Sequence, residues 1–174
     1  ESAISSEGIV RTTLRVTRTH EGEQSPHAWN RLPNQDYMQI FLAPQAELDG
    51  ARGGGTLQLG KYPAPPADFE RDPALATIES TFRNVEGFPQ FALHQEAGKK
   101  VVSTVLATPL GGKSEAEITS THRLSRPPHE GMRYALIFEK QAGSVRAYRF
   151  AITAPQVFRF RENRSSFWEF VTDD

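Results

Sequence analysis

The 174-residue sequence contains no cysteine. This absence excludes thiol nucleophiles, disulfides, iron–sulfur clusters and zinc sites held by thiolates. It does not fix the compartment, because many proteins of the cell envelope also lack disulfides. No apolar run approaches the roughly 18 residues that a membrane-spanning helix needs, so we expect no transmembrane segment.

The sequence also lacks an excess of charge of either sign. Its 20 basic and 21 acidic residues are mixed along the chain and leave a net charge of −1. Proteins that bind a phosphate backbone or an anionic membrane surface carry blocks of basic residues. The sequence has no such block, so we expect neither nucleic acid nor a charged membrane surface as a partner.

The start of the chain and its basic residues indicate where the protein is located and from what kind of organism it comes. The chain begins at Glu1 without an initiator methionine, and a polar lead follows at 2–6. This start fits removal of an export signal, or of a lipid-anchor segment upstream of Glu1, and the alternative is an artificially trimmed chain. Arginine outnumbers lysine fifteen to five, which hints at a GC-rich bacterial genome. We therefore expect an exported protein, periplasmic or anchored to the outer membrane.

Residue patterns typical of β-strands occur along most of the sequence. Residues 9–19 alternate, with Leu14 and Val16 on one face, as in a half-buried strand. Residues 36–43 are apolar on both faces, which is typical of a central strand. Gln141, Ala142 and Gly143 predict a tight hairpin. The further predicted strands are 56–59, 88–96, 99–108, 115–124, 132–140, 144–153, 156–162 and 166–172.

One helix is predicted near 73–86. Asp72 is a suitable N-cap, and Pro73 can occupy the first helical position, where its missing N–H is not needed. Apolar residues then recur at helical spacing from Leu75 to Val85. The glycine run 53–55 and the prolines Pro63, Pro65 and Pro66 interrupt 44–72, which we expect to be an irregular loop.

These patterns together predict one β-rich domain over 1–174. The fold class is mainly β, or α+β at most: an antiparallel meander of roughly nine or ten strands with one helix. Such a meander forms either a β-barrel or a two-sheet β-sandwich, and the sequence does not separate the two.

One segment resembles a phosphate-binding loop. Residues 107–114 read ATPLGGKS, a loosened form of that motif. Phosphate binding requires a helix directly afterwards, so that N–H groups converge on the anion. The following residues, 115–121, are rich in types that favour a strand. We interpret the segment as a hairpin turn.

Patterns of catalytic residues are sparse. The sequence has no Gly-x-Ser-x-Gly elbow, although a Ser–His–acid set can assemble from distant segments. Glu115 and Glu117 share a strand face, which we interpret as a solvated face. The spacing of the histidines does not place two on one face, so we predict no catalytic residue, metal or cofactor. These histidines are His20, His27, His94, His122 and His129.

Arginines recur at alternate positions near the end of the chain. Arg159 and Arg161 alternate with Phe158 and Phe160. Together with Arg133 and Arg146 they would form a basic strip able to bind carboxylates if their strand faces aligned. We favour a strip that faces water among glutamates.

The predicted binding site is built around Trp29. This residue lies in a polar segment bounded by prolines, 24–33, without a strand pattern. A loop tryptophan beside His27 and Arg31 is a suitable platform for a sugar ring or a partner's side chain. Tyr62 is the fourth residue predicted to contribute to binding. The alternative is that Trp29 folds back to cover one end of a barrel, as large aromatics are usually buried.

Three functions are compatible with these features. The first is a non-enzymatic binding or interaction protein of the bacterial cell envelope, such as an inhibitor, an assembly component or a lipoprotein domain. The second is a β-barrel or sandwich that binds a carbohydrate or a small ligand. The third is a hydrolase whose site assembles only in three dimensions. The expected partner is therefore another protein, or a carbohydrate or small ligand, and enzymatic activity is the less favoured alternative.

Overall fold

A computed structural model describes residues 1–55, 66, 68–136 and 148–172. Its strands are β1 (Ser2–Ile4), β2 (Ile9–Thr19), β3 (Asn34–Leu42), β4 (Glu47–Gly53), β5 (Arg83–Val85), β6 (Phe88–Glu96), β7 (Lys99–Thr108), β8 (Lys113–Arg123), β9 (Tyr148–Thr153) and β10 (Phe167–Thr172). The helices of these ranges are two short 3-10 helices, η1 (Gly22–Gln24) and η2 (Ala28–Arg31), and one α-helix, α1 (Pro73–Ser80).

The described strands form two sheets, with strand orders β10-β9-β1-β2-β8-β4 and β3-β7-β6-β5. Pairing is mostly antiparallel, with a parallel pairing between β1 and β9. The predicted fold class, mainly β with one helix, is confirmed. The two sheets are consistent with a sandwich, and the described strands form no closed barrel.

The contacts of the chain divide it into two compact units. Unit 1 comprises Glu1–Thr13 and Ser120–Asp174, and unit 2 comprises Leu14–Thr119. The expectation of a single domain over 1–174 stays a prediction.

Unit 2 contains the main hydrophobic core. Strand β7 lies between β3 and β6, with Ile40 and Leu93 as the cross-strand neighbours of Val102. The opposite face of β7 is buried too, because Val101 and Ser103 have no exposed surface. The core residues are Ile40, Phe91, Val102, Leu106, Ala116 and Ile118.

Unit 1 contains an aromatic cluster on β9 and β10. These strands pair along six residues without a register shift. The Phe150 and Phe170 rings stack with centroids 4.9 Å apart, and the Trp168 ring lies 5.3 Å from that of Phe170. Phe160, which lies outside the strands, contacts Trp168, with ring centroids 5.9 Å apart.

The helix begins as predicted but ends early. The Asp72 side chain accepts hydrogen bonds from the N–H groups of Ala74 and Leu75 at 2.7 and 3.4 Å. The helix ends at Ser80, and β5 occupies 83–85, where the helical spacing had predicted a further turn. Pairing of β5 with β6 satisfies the backbone there and outweighs the apolar periodicity.

Three other expectations need correction. The irregular loop expected at 44–72 contains β4, which joins the larger sheet. Residues 132–136 form no strand, and neither do 156–162. In the segment 156–162 the N–H of Phe158 donates to the carbonyl of Pro155 at 2.8 Å. This bond forms a local turn and takes the place of pairing with a neighbouring strand. The predicted features at 56–59, 137–147 and Tyr62 lie outside the described residues.

Candidate functional site

Three of the four predicted site residues, His27, Trp29 and Arg31, lie in one loop of unit 2, residues 20–32, called here the Trp29 loop. The fourth, Tyr62, lies outside the described residues. Trp29 lies in η2 and is 70% exposed. The His27 ring stacks on it, with ring centroids 5.9 Å apart and an interplanar angle of 20°. Arg31, also exposed, ends the same short helix. The loop therefore presents a flat aromatic surface beside a cation, and Trp29 does not fold back into a core.

The Trp29 loop is held at both ends by His20. The N–H of Gly22 donates to Nδ1 of the His20 ring at 3.1 Å, so that nitrogen carries no proton. The neutral ring must then carry its proton on Nε2, which lies 2.8 Å from the carbonyl oxygen of Leu32 and donates to it. One imidazole thereby joins the two ends of the loop.

Internal hydrogen bonds fix the middle of the loop. Ser25 Oγ accepts from the N–H of His27 at 3.3 Å and from Asn30 Nδ2 at 3.0 Å. The N–H of Asn30 donates to the carbonyl of His27 at 3.1 Å. A Cβ at Gly22 would lie 2.0 Å from the carbonyl oxygen of Asn30, so glycine is required there. The exposed tryptophan thus stands on an ordered backbone.

The segment that resembles a phosphate-binding loop is a turn that supports this loop. Its Gly111 N–H donates to the carbonyl of His20 at 3.1 Å, and Gly112 accepts from the N–H of His20 at 3.0 Å. The N–H of Gly112 donates to Pro109 at 2.9 Å. Strand β8, not a helix, follows. The segment is a turn as expected, but the predicted hairpin is wrong, because β7 and β8 belong to different sheets. The two glycine amides are already bonded within the protein.

Glu117 is the centre of an ion-pair network in unit 2. Arg52 donates from Nε to one carboxylate oxygen of Glu117 and from a terminal nitrogen to the other, both at 2.8 Å. Arg15 donates to the same carboxylate at 2.8 Å. The hydrogen bonds from Arg52, then those from Arg15, lower the pKa of Glu117 to about 2. Glu117 is therefore ionised at neutral pH and cannot act as a general acid.

A serine, a histidine and an acid meet inside unit 2. His94 is buried, its ring stacked on Phe82 with centroids 4.0 Å apart. Ser103 Oγ lies 3.4 Å from His94 Nδ1, and Glu96 Oε2 lies 3.5 Å from Nε2. Gln39 Nε2 also lies 3.3 Å from His94 Nε2. Ser103 has no exposed surface, so a substrate could not reach its hydroxyl without a rearrangement.

The cavity next to His94 is small. It has a volume of about 240 Å³ and is lined by Thr81, Arg83, Leu93, His94, Gln95 and Lys100. Ser103 is not among its lining residues. The arrangement is better explained as a buried polar group that is hydrogen-bonded in a packed sheet.

A larger groove lies in unit 1, with a volume of about 490 Å³. Its polar lining residues include His129, Glu130 and Arg159. Burial raises the pKa of Tyr134, which also lines the groove. The volume is within the range of small-molecule sites. The apolar lining residues are Ile4, Leu124, Pro128, Met132, Ala154, Pro155, Val157, Phe158 and Phe160.

The basic strip expected near the end of the chain does not form as a strand face. Residues 156–162 are not a strand, and Arg159 donates to the carbonyl oxygens of Gln156 and Phe158. Arg133 and Arg161 are exposed, and Arg146 lies outside the described residues. Arg159 instead forms part of the groove wall.

Sequence reasoning missed both the groove and the environment of His94. The alternation of β6 does place His94 opposite in phase to the core residue Phe91. Nothing in that alternation reveals that both faces of the sheet are covered at this point. The groove is made by segments without regular structure, which periodicity cannot detect.

Within the described ranges, no cluster of three or more histidine or acidic side chains is placed to hold a metal ion. No helix in the same ranges has the length and apolar character needed to cross a bilayer. No family model matches the chain, and neither does any curated protein or any solved structure.

Proposed function

We propose that this chain is a non-enzymatic binding protein of the bacterial cell envelope, and that the Trp29 loop contacts its partner. The observation that supports the proposal is the exposure of Trp29, at 70%, on a loop whose ends and middle are hydrogen-bonded. Exposed tryptophans in ordered loops are frequent centres of binding energy.

The order of the loop matters because flexible loops lose conformational entropy when they bind. The immobilisation of a single side chain costs about 0.5–1.5 kcal/mol on association. His20, Ser25 and Gly22 hold the Trp29 loop in one conformation before any partner arrives. The backbone of the loop is therefore ordered before binding, so that association has only the exposed side chains left to immobilise.

The composition of the surface suits a protein side chain or a sugar ring. Trp29 and His27 supply flat area, and Arg31 supplies hydrogen-bond donors. Leu32, also exposed, extends the apolar area at the end of the loop. The partner is thus another protein or a carbohydrate, as the sequence suggests.

The test compares three versions of the chain: wild type, Trp29→Ala and Leu75→Ala. Leu75 is a matched control, because it is an exposed apolar residue of the same unit, on α1. Envelope extracts and a defined glycan array are bound to each version, and every ligand of the wild type is quantified. We expect Trp29→Ala to lose at least tenfold in affinity and Leu75→Ala to retain it. Equal binding by Trp29→Ala would contradict the proposal.

The groove of unit 1 favours a second function, the binding of a small ligand. Its apolar lining and few polar groups are typical of such sites. Saturable binding of 1-anilinonaphthalene-8-sulfonate would test it, with Val157→Asp as the variant, because Val157 lines the groove and is 82% exposed. We expect this variant to weaken the binding and Trp29→Ala to leave it unchanged. Absence of saturable binding would exclude this function.

A further inference from the structure

Strand β10 is an edge strand of the larger sheet, and most of its residues are apolar. Its sequence is Phe-Trp-Glu-Phe-Val-Thr, without glycine, proline or a register shift. Phe167 and Val171 are exposed. Proteins usually protect a sheet edge with lysine, proline, a bulge or a covering segment, because an open edge can pair with another strand.

The other three edges of the described sheets are less suited to pairing. Strand β5 has three residues and a register shift against β6. Strand β4 contains two glycines, Gly50 and Gly53, together with the charged residues Asp49 and Arg52. Strand β3 opens with a polar run that ends in Asp36, which is bound to Arg18 at 2.8 Å.

Hydrogen bonds at the start of β10 show which backbone groups of this strand point away from β9. The N–H of Ala154 donates to the carbonyl of Ser166 at 2.7 Å, so Ser166 points toward β9. Alternation along the strand then turns the N–H and C=O groups of Phe167, Glu169 and Val171 away from β9. Asn163 Nδ2 donates to the carbonyl of Phe167 at 2.8 Å, which agrees with this assignment.

Side chains cover only the first of these outward residues. The N–H of Phe167 donates to Ser165 Oγ at 3.1 Å, and its carbonyl is bonded to Asn163. Among the described residues, no group is bonded to the outward N–H and C=O of Glu169 and Val171. These two residues lie symmetrically on either side of Phe170.

We propose that β10 pairs with β10 of a second copy of this chain, antiparallel and centred on Phe170. In this register Glu169 lies opposite Val171 of the other copy, and each such pair exchanges two hydrogen bonds, which satisfies the outward N–H and C=O groups of both residues. Phe170 then meets its counterpart on the aromatic face of the sheet.

The charges of the strand favour this register. Glu169 is already ion-paired with Arg149 of β9, so no unpaired carboxylate enters the interface. A register centred one residue earlier would place Glu169 against its own copy, which is unfavourable because like charges directly opposite repel. The interface is small compared with that of a permanent dimer, so the association should be weak and concentration-dependent.

Single-cysteine variants test the register directly, since the chain has no cysteine of its own. Glu169→Cys and Val171→Cys change exposed positions and are oxidised separately and as an equimolar mixture. We expect the mixture to form disulfide dimers at least fivefold faster than either variant alone, because only residue 169 lies directly opposite residue 171. Leu75→Cys measures the rate of random collision. Equal rates in all samples would overturn the proposal.

Sedimentation equilibrium of the full chain gives an independent readout. We expect the average mass of the wild type to rise with concentration, and Val171→Pro, which removes an outward N–H, to remain monomeric. Val171→Thr keeps that N–H and should associate like the wild type. Circular dichroism checks that each variant is folded. A wild type that stays monomeric at all concentrations, or a folded Val171→Pro variant that associates equally, would contradict pairing through this edge.

Discussion

Nε2 of His20 donates a hydrogen bond of 2.8 Å to the carbonyl oxygen of Leu32, twelve residues along the chain. This bond closes the Trp29 loop, and it depends on the neutral ring tautomer that the N–H of Gly22 selects. The order of the proposed binding surface therefore depends on a residue that does not itself belong to that surface.

Removal of the His20 ring should loosen the loop. Because His20→Ala deletes two hydrogen bonds, we expect a loss of about 1–2 kcal/mol in the free energy of unfolding. The amide of Gly22 should also exchange faster with deuterium. His27→Ala, a change of an exposed ring in the same loop, serves as the control and should cost less than about 0.5 kcal/mol. Unchanged exchange at Gly22 in His20→Ala would show that the ring does not hold the loop.

Two glycines with the same backbone angle allow steric effects to be separated from strain. Gly53 and Gly98 both have φ of 71°. A Cβ at Gly53 would lie 2.1 Å from the carbonyl oxygen of Glu115, whereas Gly98 has no atom within 4 Å. Gly98→Ala should lose roughly 1–2 kcal/mol from the left-handed conformation alone.

Gly53→Ala should lose about 1–3 kcal/mol more than Gly98→Ala, because the added methyl group must displace β8 from β4. Urea unfolding of both variants measures the difference. Equal losses would mean that β4 and β8 are not in the close contact described above.

The lowered pKa of Glu117 makes the stability of unit 2 depend on pH. Its folded value of about 2 lies below the usual 4.5, so its ion pairs stabilise the fold above pH 4.5. That contribution is lost as the pH falls through about 2. We expect Glu117→Gln to be less stable than wild type at pH 7, with a difference that shrinks toward pH 2. Carbon-detected NMR titration of the carboxyl group measures the pKa itself.

Arg52→Met serves as the matched variant for this titration. It removes the hydrogen bonds that lower the pKa of Glu117 most and leaves Arg15 in place, so this pKa should rise but stay below its usual value. A Glu117 carboxyl that titrates near 4.5 in the wild type would contradict the network.

Ser103 should not behave as a nucleophile. It lies 3.4 Å from His94 Nδ1 but is fully buried. We expect a fluorophosphonate probe to leave Ser103 unlabelled in the folded chain, as judged by mass spectrometry. Ser103→Ala should remain folded, with a loss of about 1 kcal/mol from one neutral hydrogen bond. Stoichiometric labelling of Ser103 would favour the hydrolase hypothesis over the two binding functions.

The sequence predicts those strands whose side-chain pattern and tertiary role agree. Residues 88–96 and 99–108 form strands with the bounds expected, since their alternation or continuous apolar character matches the burial they experience. Residues 156–162 alternate just as clearly, yet turn hydrogen bonds such as Phe160 N–H to Ser165, 2.8 Å, satisfy their backbone locally. Period-2 patterning identifies a segment that is able to pair, and partner availability decides the outcome.

The candidate site was predictable in its residues but not in its geometry. A polar, proline-bounded segment with Trp29 and His27 is visible in the sequence, whereas its exposure depends on whether a core accepts the ring. The bracing by His20 involves Gly111 and Gly112, about ninety residues away, and no local pattern connects them. Tyr62 stays a prediction, and so do the exported location and the partner.

The proposed binding function depends most on a tryptophan that is both exposed and held in place. In a Trp168→Phe variant Trp29 is the only tryptophan, so its fluorescence reports on the loop alone. We predict ready quenching by acrylamide together with an anisotropy decay that follows the tumbling of the whole chain. A blue-shifted emission protected from acrylamide, or a fast local anisotropy decay, would contradict the account.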